Sequence, residues 1–241
     1  MYKSNDRLII FDADGTIVDA FQAMAKVFSA HGMDLGDLER FQKRHNLFKY
    51  LGGIKEFPFN VRKQLGRQSR RNIVSTLTDI YREDARLYPG VAALMRSLLM
   101  ARGVRVGLVT RNITNEPEET LRKLLARHDI DLKELDFFAH VPLGQEKTSA
   151  FRHARKSFDI NPARSFACGD EHKDFAAAMS AGMHCFMVSY GFEDYTRLTE
   201  KFSVPEDVIS RTPLELCHRV THALEIDPVV YQSHATVLLN H

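Results

Sequence analysis

The chain has 241 residues, of which 44% are hydrophobic and 27% charged, and its formal net charge is +2. This composition excludes disorder over most of the chain, and the charge gives no basis for general binding to nucleic acid or membranes. The three cysteines, Cys168, Cys185 and Cys217, form no CxxC pair, which excludes a disulfide scaffold and a zinc knuckle. The sequence has no signal-peptide or membrane-span pattern, so we expect a cytoplasmic protein.

Short apolar runs rich in Val, Ile and Phe predict strands that are covered on both faces. They are Leu8–Phe11, Val104–Val109, Phe137–Val141, Ser165–Cys168 and Cys185–Val188, with a weaker candidate at Asp207–Ile209. Helical patterns lie between them, at about 89–102, 116–129, 147–158, 172–182 and 212–224. Strands that alternate with helices predict an α/β fold, a Rossmann-like core with a mostly parallel sheet.

One interval, from about Phe21 to Leu87, contains no good strand candidate. Its apolar residues recur at helical spacing, as in Ile73, Leu77, Ile80 and Tyr81. We therefore predict a core domain formed by residues 1–20 and 87–241, with a helical cap domain inserted at 21–86. Loops that follow parallel strands carry function, so the insert is expected to lie over the active site.

The strongest functional signal is the run Phe11-Asp12-Ala13-Asp14-Gly15-Thr16, directly after the first strand. Carboxylates spaced i, i+2 at a strand end face the same way, and in one small pocket their proton affinities split. One is then suited to act as a nucleophile and the other as a general acid and base. Gly15 permits a sharp turn whose backbone N–H groups can cradle a phosphate. The alternative reading is a surface Asx-turn.

Polar groups also follow the other predicted strands. Thr110 ends the second strand, Lys147 opens the helix after the third, and Asp170 and Asp174 follow the fourth. Parallel strands bring such groups to one edge of the sheet, where open sheets bind ligands. Taken singly, they have ordinary readings as a helix cap, a surface lysine or acids at a helix N-terminus. Taken together, they are suited to binding magnesium and phosphate.

These residues resemble the haloacid dehalogenase superfamily over 7–20 and about 87–220. Asp12 to Thr16 resembles the first motif of the family, Thr110 the second, Lys147 the third and Gly169 to Asp174 the fourth. The insert at 21–86 resembles the family's helical cap. The closest subgroup in outline is that of the phosphoglycolate phosphatase-like hydrolases.

The resemblance implies a phosphohydrolase that cleaves a small phosphate monoester. Asp12 would attack phosphorus and form an aspartyl-phosphate, and Asp14 would protonate the leaving oxygen and then activate water. Thr110 and Lys147 would bind the phosphoryl group, and apart from the resemblance we expect the Gly15–Thr16 turn and Arg111, an extra cation, to contact the phosphate as well. Mg²⁺ would be held by Asp12, the Asp14 backbone carbonyl, Asp170 and Asp174. Arg111 and Thr148 depart from the family pattern, which has a small or amide residue and often a proline there.

The sequence leaves four other functions open. A phosphomutase would share every core motif, and a phosphonate hydrolase would need a cap lysine, for which Lys49 and Lys55 are available. A 2-haloacid dehalogenase would not need Asp14 or the acidic cluster. A non-catalytic binding protein is disfavoured because every motif aspartate is present. The excess of Lys and Arg between Glu39 and Asn72 is either a solvated face or an attraction for an anionic substrate. The expected partner is a small phosphorylated metabolite, and neither nucleic acid nor a membrane is expected.

Overall fold

The computed structural model describes residues 2–32, 36, 39, 42 and 70–226. Within this part of the chain, six parallel strands form one sheet. The strands are β1 (Arg7–Phe11), β2 (Val104–Thr110), β3 (Phe137–His140), β4 (Ser165–Gly169), β5 (His184–Val188) and β6 (Ile209–Ser210).

The order in which successive strands are added to the sheet changes direction at β1. Its spatial order is β3-β2-β1-β4-β5-β6, so β1 pairs with both β2 and β4. In the register, Phe11 lies between Leu108 and Cys168, and the loops after these three strands leave the sheet side by side. An open parallel sheet binds its ligand at such a switch point. The predicted Rossmann-like α/β fold is confirmed.

Helices connect the strands and cover both faces of the sheet. In the described residues they are α1 (Ala20–Ala30), α2 (Arg70–Glu83), α3 (Val91–Met100), α4 (Pro117–Ala126), α5 (Thr148–Ser157), α6 (His172–Ser180) and α7 (Pro213–Ala223). None of them is long and apolar enough to cross a bilayer.

The two faces of β1 belong to two separate hydrophobic clusters, since successive side chains of a strand point in opposite directions. Ile9 and Phe11 pack into the cluster that contains residues of α1, α2, α3, α4 and α7. Leu8 and Ile10 pack into the cluster formed with α5 and α6. All four side chains are fully buried, so the strand that leads to Asp12 is held from both sides.

Some predicted boundaries differ from the structure by a few residues. The weak strand expected at Asp207–Ile209 begins only at Ile209, because a 3₁₀ turn occupies Glu206–Val208 after Pro205. Lys147 is the residue before α5 and its backbone already has helical angles. Local composition sets the type of each element better than its ends.

The chain enters and leaves the predicted cap segment through adjacent backbone. Val18 and Leu87 form an antiparallel bridge. The Asp19 N–H donates to the Arg86 carbonyl at 2.9 Å, and the Tyr88 N–H donates to the Ile17 carbonyl at 2.9 Å. The boundaries of the cap at 21 and 86 stay a prediction. Lys49, Lys55 and most of the basic residues between Glu39 and Asn72 lie outside the described residues.

Candidate active site

Asp12 is the first residue after β1, and both of its carboxylate oxygens have partners. Oδ1 accepts the N–H of Ala13 at 2.8 Å, and Oδ2 lies 2.6 Å from Nζ of Lys147. The Asp12 N–H continues the sheet pairing by donating to the Cys168 carbonyl at 2.9 Å. The position of the carboxylate therefore follows from the sheet itself, and only 7% of the residue is exposed.

Asp14 lies in the tight turn after Asp12. Gly15 has φ +81°, and its N–H donates to the Val18 carbonyl at 3.0 Å. The Asp14 carboxylate accepts the Tyr81 hydroxyl at 2.7 Å and the side-chain amide of Asn112 at 3.2 and 3.1 Å. These are neutral donors, so Asp14 sits in a different environment from Asp12, which faces a cation.

Lys147 connects the first carboxylate to the acidic cluster. Its Nζ lies 2.6 Å from Asp12 Oδ2 and 2.8 Å from Asp174 Oδ1, and the residue is only 2% exposed. Burial alone would lower the pKa of this ammonium group, but Asp12 and Asp174 outweigh burial and the net pKa is raised. Lys147 is therefore charged. A buried ammonium group without partners would be very unfavourable, and the two carboxylates remove this penalty.

Asp170 and Asp174 follow β4 and are both fully buried. Asp170 Oδ2 accepts the Phe192 N–H at 2.7 Å, whereas its Oδ1 has no hydrogen-bond partner among the described residues. Asp174 Oδ2 accepts the N–H of Glu171 at 3.2 Å. A buried carboxylate oxygen without a donor is costly, which makes Asp170 Oδ1 a candidate ligand atom.

Two glycines surround the Asp170 carboxylate at close range. A Cβ atom at Gly15 would lie 2.2 Å from Asp170 Oδ2, and one at Gly191 would lie 2.4 Å from the same oxygen. Gly191 would also meet the Gly15 carbonyl at 2.4 Å. No side chain fits at either position, so the backbone of two loops approaches the carboxylate directly.

One carboxylate oxygen each from Asp12, Asp170 and Asp174 lies within 4.8 Å of the others. Lys147 contacts Asp12 and Asp174, and Arg111 lies 3.8 Å from Asp174, but Asp170 has neither cation in contact, so three ionised carboxylates would leave negative charge for a metal ion to neutralise. Hard oxygen ligands of this kind suit Mg²⁺, and the unpartnered Asp170 Oδ1 supports the same fit.

Burial raises the pKa values of Asp12, Asp14 and Asp170. The pKa of Asp12 rises to about 7, chiefly by burial and against the attraction of Lys147. Burial also raises the pKa of Asp14, although the Tyr81 and Asn112 hydrogen bonds oppose the change. The pKa of Asp170 rises well above its usual value through burial and then through Asp12. A bound divalent cation would reverse the shifts of Asp12 and Asp170, whose carboxylates belong to the cluster, by favouring their ionised forms.

Three further predicted phosphate-binding residues lie close by. Thr110 ends β2, is fully buried, and its Oγ1 accepts the N–H of Asn112 at 3.1 Å. Thr16 is also fully buried, and its carbonyl accepts the Tyr190 hydroxyl at 3.0 Å. Arg111 contacts acidic residues: its Nη2 lies 2.8 Å from Glu171 Oε2 and 3.8 Å from Asp174 Oδ1. Its predicted contact with substrate stays a prediction.

Comparison with known proteins identifies the family. A sequence model described as haloacid dehalogenase-like hydrolase matches residues 7–182. The chain belongs to this family. The resemblance to the haloacid dehalogenase superfamily and the predicted enzyme class, a phosphohydrolase of that type, are thereby confirmed.

Individual relatives within this family include phosphoglycolate phosphatases. The chain is 29% identical to that of Pseudomonas putida over 208 residues, which cover 77% of this chain and 70% of the relative. It is 25% identical to that of Synechococcus elongatus over 227 residues, which cover 90% and 98% of the two chains.

Solved structures show the same fold. A haloacid dehalogenase-like family hydrolase from Streptococcus pneumoniae is similar with a TM-score of 0.62 at 18% identity, over 89% of this chain and 98% of that one. CbbY from Rhodobacter sphaeroides, solved in complex with phosphate, is similar with a TM-score of 0.58 at 21% identity, over 88% and 96%. At these identities the likeness concerns the fold.

The structure of this haloacid dehalogenase-like hydrolase brings the predicted site residues to one edge of the sheet. It adds residues that sequence reasoning did not assign to the site. Tyr81 and Asn112 contact Asp14, and Gly191 packs on Asp170. Gln42, from the predicted cap segment, donates to the Gly191 carbonyl at 2.7 Å. Of these residues, only Asn112 could have been suspected from the sequence, because it lies two residues after Thr110 of the second motif.

Proposed function

We propose that this protein is a magnesium-dependent phosphatase that hydrolyses a small phosphate monoester through an aspartyl-phosphate on Asp12. One observation carries the proposal. A carboxylate paired with the buried Lys147 lies beside two further buried carboxylates, and a second strand-end acid is held separately by neutral donors. This arrangement provides a nucleophile, a cation-binding cluster and a proton donor within one site.

In the first half of the reaction, a carboxylate oxygen of Asp12 forms a bond to phosphorus as the bond to the ester oxygen breaks. The electron pair of the broken bond goes to the leaving oxygen, and Asp14 gives that oxygen its proton. The alcohol leaves, and Asp12 carries the phosphoryl group. The raised pKa of Asp14 suits it to hold a proton before this step.

In the second half, Asp14 is a carboxylate and takes a proton from water. The water oxygen bonds to phosphorus, the bond between phosphorus and Asp12 breaks, and inorganic phosphate leaves. Asp12 is again a carboxylate and Asp14 again holds a proton. The sum of both halves is one phosphate ester and one water converted into one alcohol and one phosphate.

The remaining residues bind the metal ion and the phosphoryl group and hold them in position. Asp12, Asp170 and Asp174, with the Asp14 carbonyl, would hold Mg²⁺, which when bound neutralises negative charge between the carboxylates and the phosphate oxygens. Lys147 and Thr110 would bind the transferring phosphoryl group. Gly15 and Thr16 provide the turn that faces it. Positioning and charge stabilisation are the main requirements of phosphoryl transfer.

The first candidate substrate is phosphoglycolate, because relatives over most of the chain bear that name. Its carboxylate would be a second negative group for the basic residues between Glu39 and Asn72. The expected location in the cytoplasm, as for other enzymes of small phosphorylated metabolites, belongs to this proposal.

The test is phosphate release from a panel of phosphorylated metabolites that includes phosphoglycolate, with Mg²⁺ and with EDTA. Asp12→Asn keeps the shape of the side chain but removes the nucleophile, so kcat should fall at least ~1000-fold. After an acid quench of wild type during turnover, mass spectrometry should find phosphate on the peptide that contains Asp12. An active Asp12→Asn variant, or full activity in EDTA, contradicts the proposal.

The same panel separates the alternatives. A phosphomutase would return a phosphorylated isomer in place of free phosphate. A phosphonate hydrolase would be trapped by borohydride at a cap lysine such as Lys49 or Lys55. A 2-haloacid dehalogenase would release halide without metal, and a binding protein would turn over no substrate.

A further inference from the structure

Tyr81 belongs to α2, in the predicted cap segment, but its hydroxyl reaches the candidate acid of the core. The residue is 2% exposed and packs in the hydrophobic cluster beside β1. The hydroxyl donates to Asp14 Oδ1 at 2.7 Å. By helical periodicity Tyr81 is an ordinary apolar position, so its polar end requires a separate explanation.

The contacts of the Asn112 side chain determine which of its amide atoms faces Asp14. Its side-chain Oδ1 accepts both the N–H of Thr114, at 3.0 Å, and the Thr114 hydroxyl. The amide nitrogen must therefore face Asp14, and it donates to both carboxylate oxygens. Oδ1 of Asp14 thus receives two donors and Oδ2 receives one, which distinguishes the two oxygens.

The end of α2 that carries Tyr81 is attached to α4 and to the loop before it. Thr78 accepts the N–H of Asn115 at 2.8 Å, and Arg82 Nε donates to the Thr120 hydroxyl at 3.1 Å. The guanidinium of Arg127, just after α4, donates to carbonyls in the last turn of α2, including that of Tyr81 at 3.1 Å. Core contacts therefore hold the Tyr81 hydroxyl in place.

We infer that Tyr81 is a positioning residue, which holds Asp14 through Oδ1 so that Oδ2 is the oxygen that exchanges a proton with the leaving group. The inference rests on the proposed phosphatase function and adds a residue to its site. Proton transfer in a transition state requires hydrogen-bond reach and a fixed direction, so a carboxyl group free to rotate would be a poorer acid. Tyr81 itself exchanges no proton with the substrate.

The test compares Tyr81→Phe with wild type on two esters. The leaving group of an alkyl ester such as phosphoglycolate is a strongly basic alkoxide, which needs a proton from the general acid. The leaving group of p-nitrophenyl phosphate is weakly basic and needs the proton much less. The ratio kcat/KM reports steps up to the first irreversible one, here the cleavage of the ester. We expect kcat/KM to fall about 10-fold or more for phosphoglycolate and less than about 3-fold for p-nitrophenyl phosphate.

Tyr195→Phe is the matched control, because the Tyr195 hydroxyl also donates to a carboxylate, that of Glu206 at 2.5 Å, but not to a residue of the site. It should leave the ratio between the two esters unchanged. Thermal melts of both variants test folding. If Tyr81→Phe does not fold, Tyr81→Gln keeps a donor in the side chain and should hydrolyse phosphoglycolate at a rate closer to wild type.

The outcomes separate this inference from the proposed function. Equal losses on both esters, or no loss on either, contradict the role of Tyr81 while an active wild type keeps the phosphatase proposal intact. A folded Tyr81→Gln variant with the full defect of a lost hydroxyl contradicts it too. A wild type that hydrolyses no phosphate ester contradicts the proposed function and removes this inference with it.

Discussion

Lys147 and Asp12 form a buried ion pair, with Nζ of the lysine 2.6 Å from Oδ2 of the aspartate. The same Nζ lies 2.8 Å from Asp174 Oδ1, so one cation is shared by carboxylates that follow different strands. With almost no access to water, this ammonium group offsets repulsion that would otherwise separate the loops after β1 and β4.

Replacement of Lys147 should therefore destabilise the metal-free protein. Lys147→Met leaves two buried carboxylates without their cation, and we expect a loss of about 3–5 kcal/mol in the free energy of unfolding. Saturating Mg²⁺ should recover part of this loss, since it supplies positive charge at the same cluster. Urea unfolding in EDTA and in Mg²⁺ measures both effects. The exposed Lys173→Met is the control, and equal stability of the two variants in EDTA would refute the expectation.

Mg²⁺ should stabilise the wild-type protein through the carboxylate cluster. A ligand that binds only the folded state at 100 times its Kd adds about 2.7 kcal/mol. Asp170→Asn should abolish the Mg²⁺-induced rise in Tm, because it removes the charge next to the unpartnered Oδ1. Asp79→Asn, at an exposed position of α2, should keep the rise. Equal shifts in both variants would place Mg²⁺ elsewhere.

The effect of Mg²⁺ should depend on pH. Burial raises the pKa of Asp12 from 3.8 to about 7, so the metal-free folded chain holds a proton that the unfolded chain has released. Stability from this group is therefore present below pH 3.8 and is lost as the pH rises towards 7. Mg²⁺ needs the ionised form, so its affinity should fall up to about tenfold for each pH unit below 7. Calorimetry at pH 5.5 and 8 tests this, and equal affinities would contradict it.

Gly191 should be essential although it contributes no side chain. In Gly191→Ala the new Cβ would lie 2.4 Å from both Asp170 Oδ2 and the Gly15 carbonyl, so the carboxylate or the loop must move. We expect at least about a tenfold loss of kcat with a smaller effect on Tm, because the displacement concerns ligand geometry. Gly144→Ala meets no atom within 4 Å and should behave as wild type. An active Gly191→Ala enzyme would show that Asp170 tolerates displacement.

The sequence predicted the fold and the strand-end members of the candidate site for one physical reason. Asp12, Thr110 and Asp170 each lie at the carboxyl end of an apolar strand, and these ends lie side by side in a parallel sheet whatever the chain between them contains. Tyr81 could not be assigned to the site in this way. Its ring fits the apolar helical pattern, and that pattern gives no information on what the hydroxyl contacts. Gly191 was missed for a related reason, since the need for it arises only when two loops meet around Asp170.

The paired backbone at Val18 and Leu87 has a consequence for how this chain can vary. The segment between them departs and returns at one closed junction, joined by the hydrogen bonds of Asp19 and Tyr88. The distance between its two ends is therefore set by the junction and not by the number of residues in between. Residues added to or removed from the segment between Val18 and Leu87 need not change the position of Asp12. The segment can therefore vary in length as well as in sequence while the turn at Asp12 keeps its place.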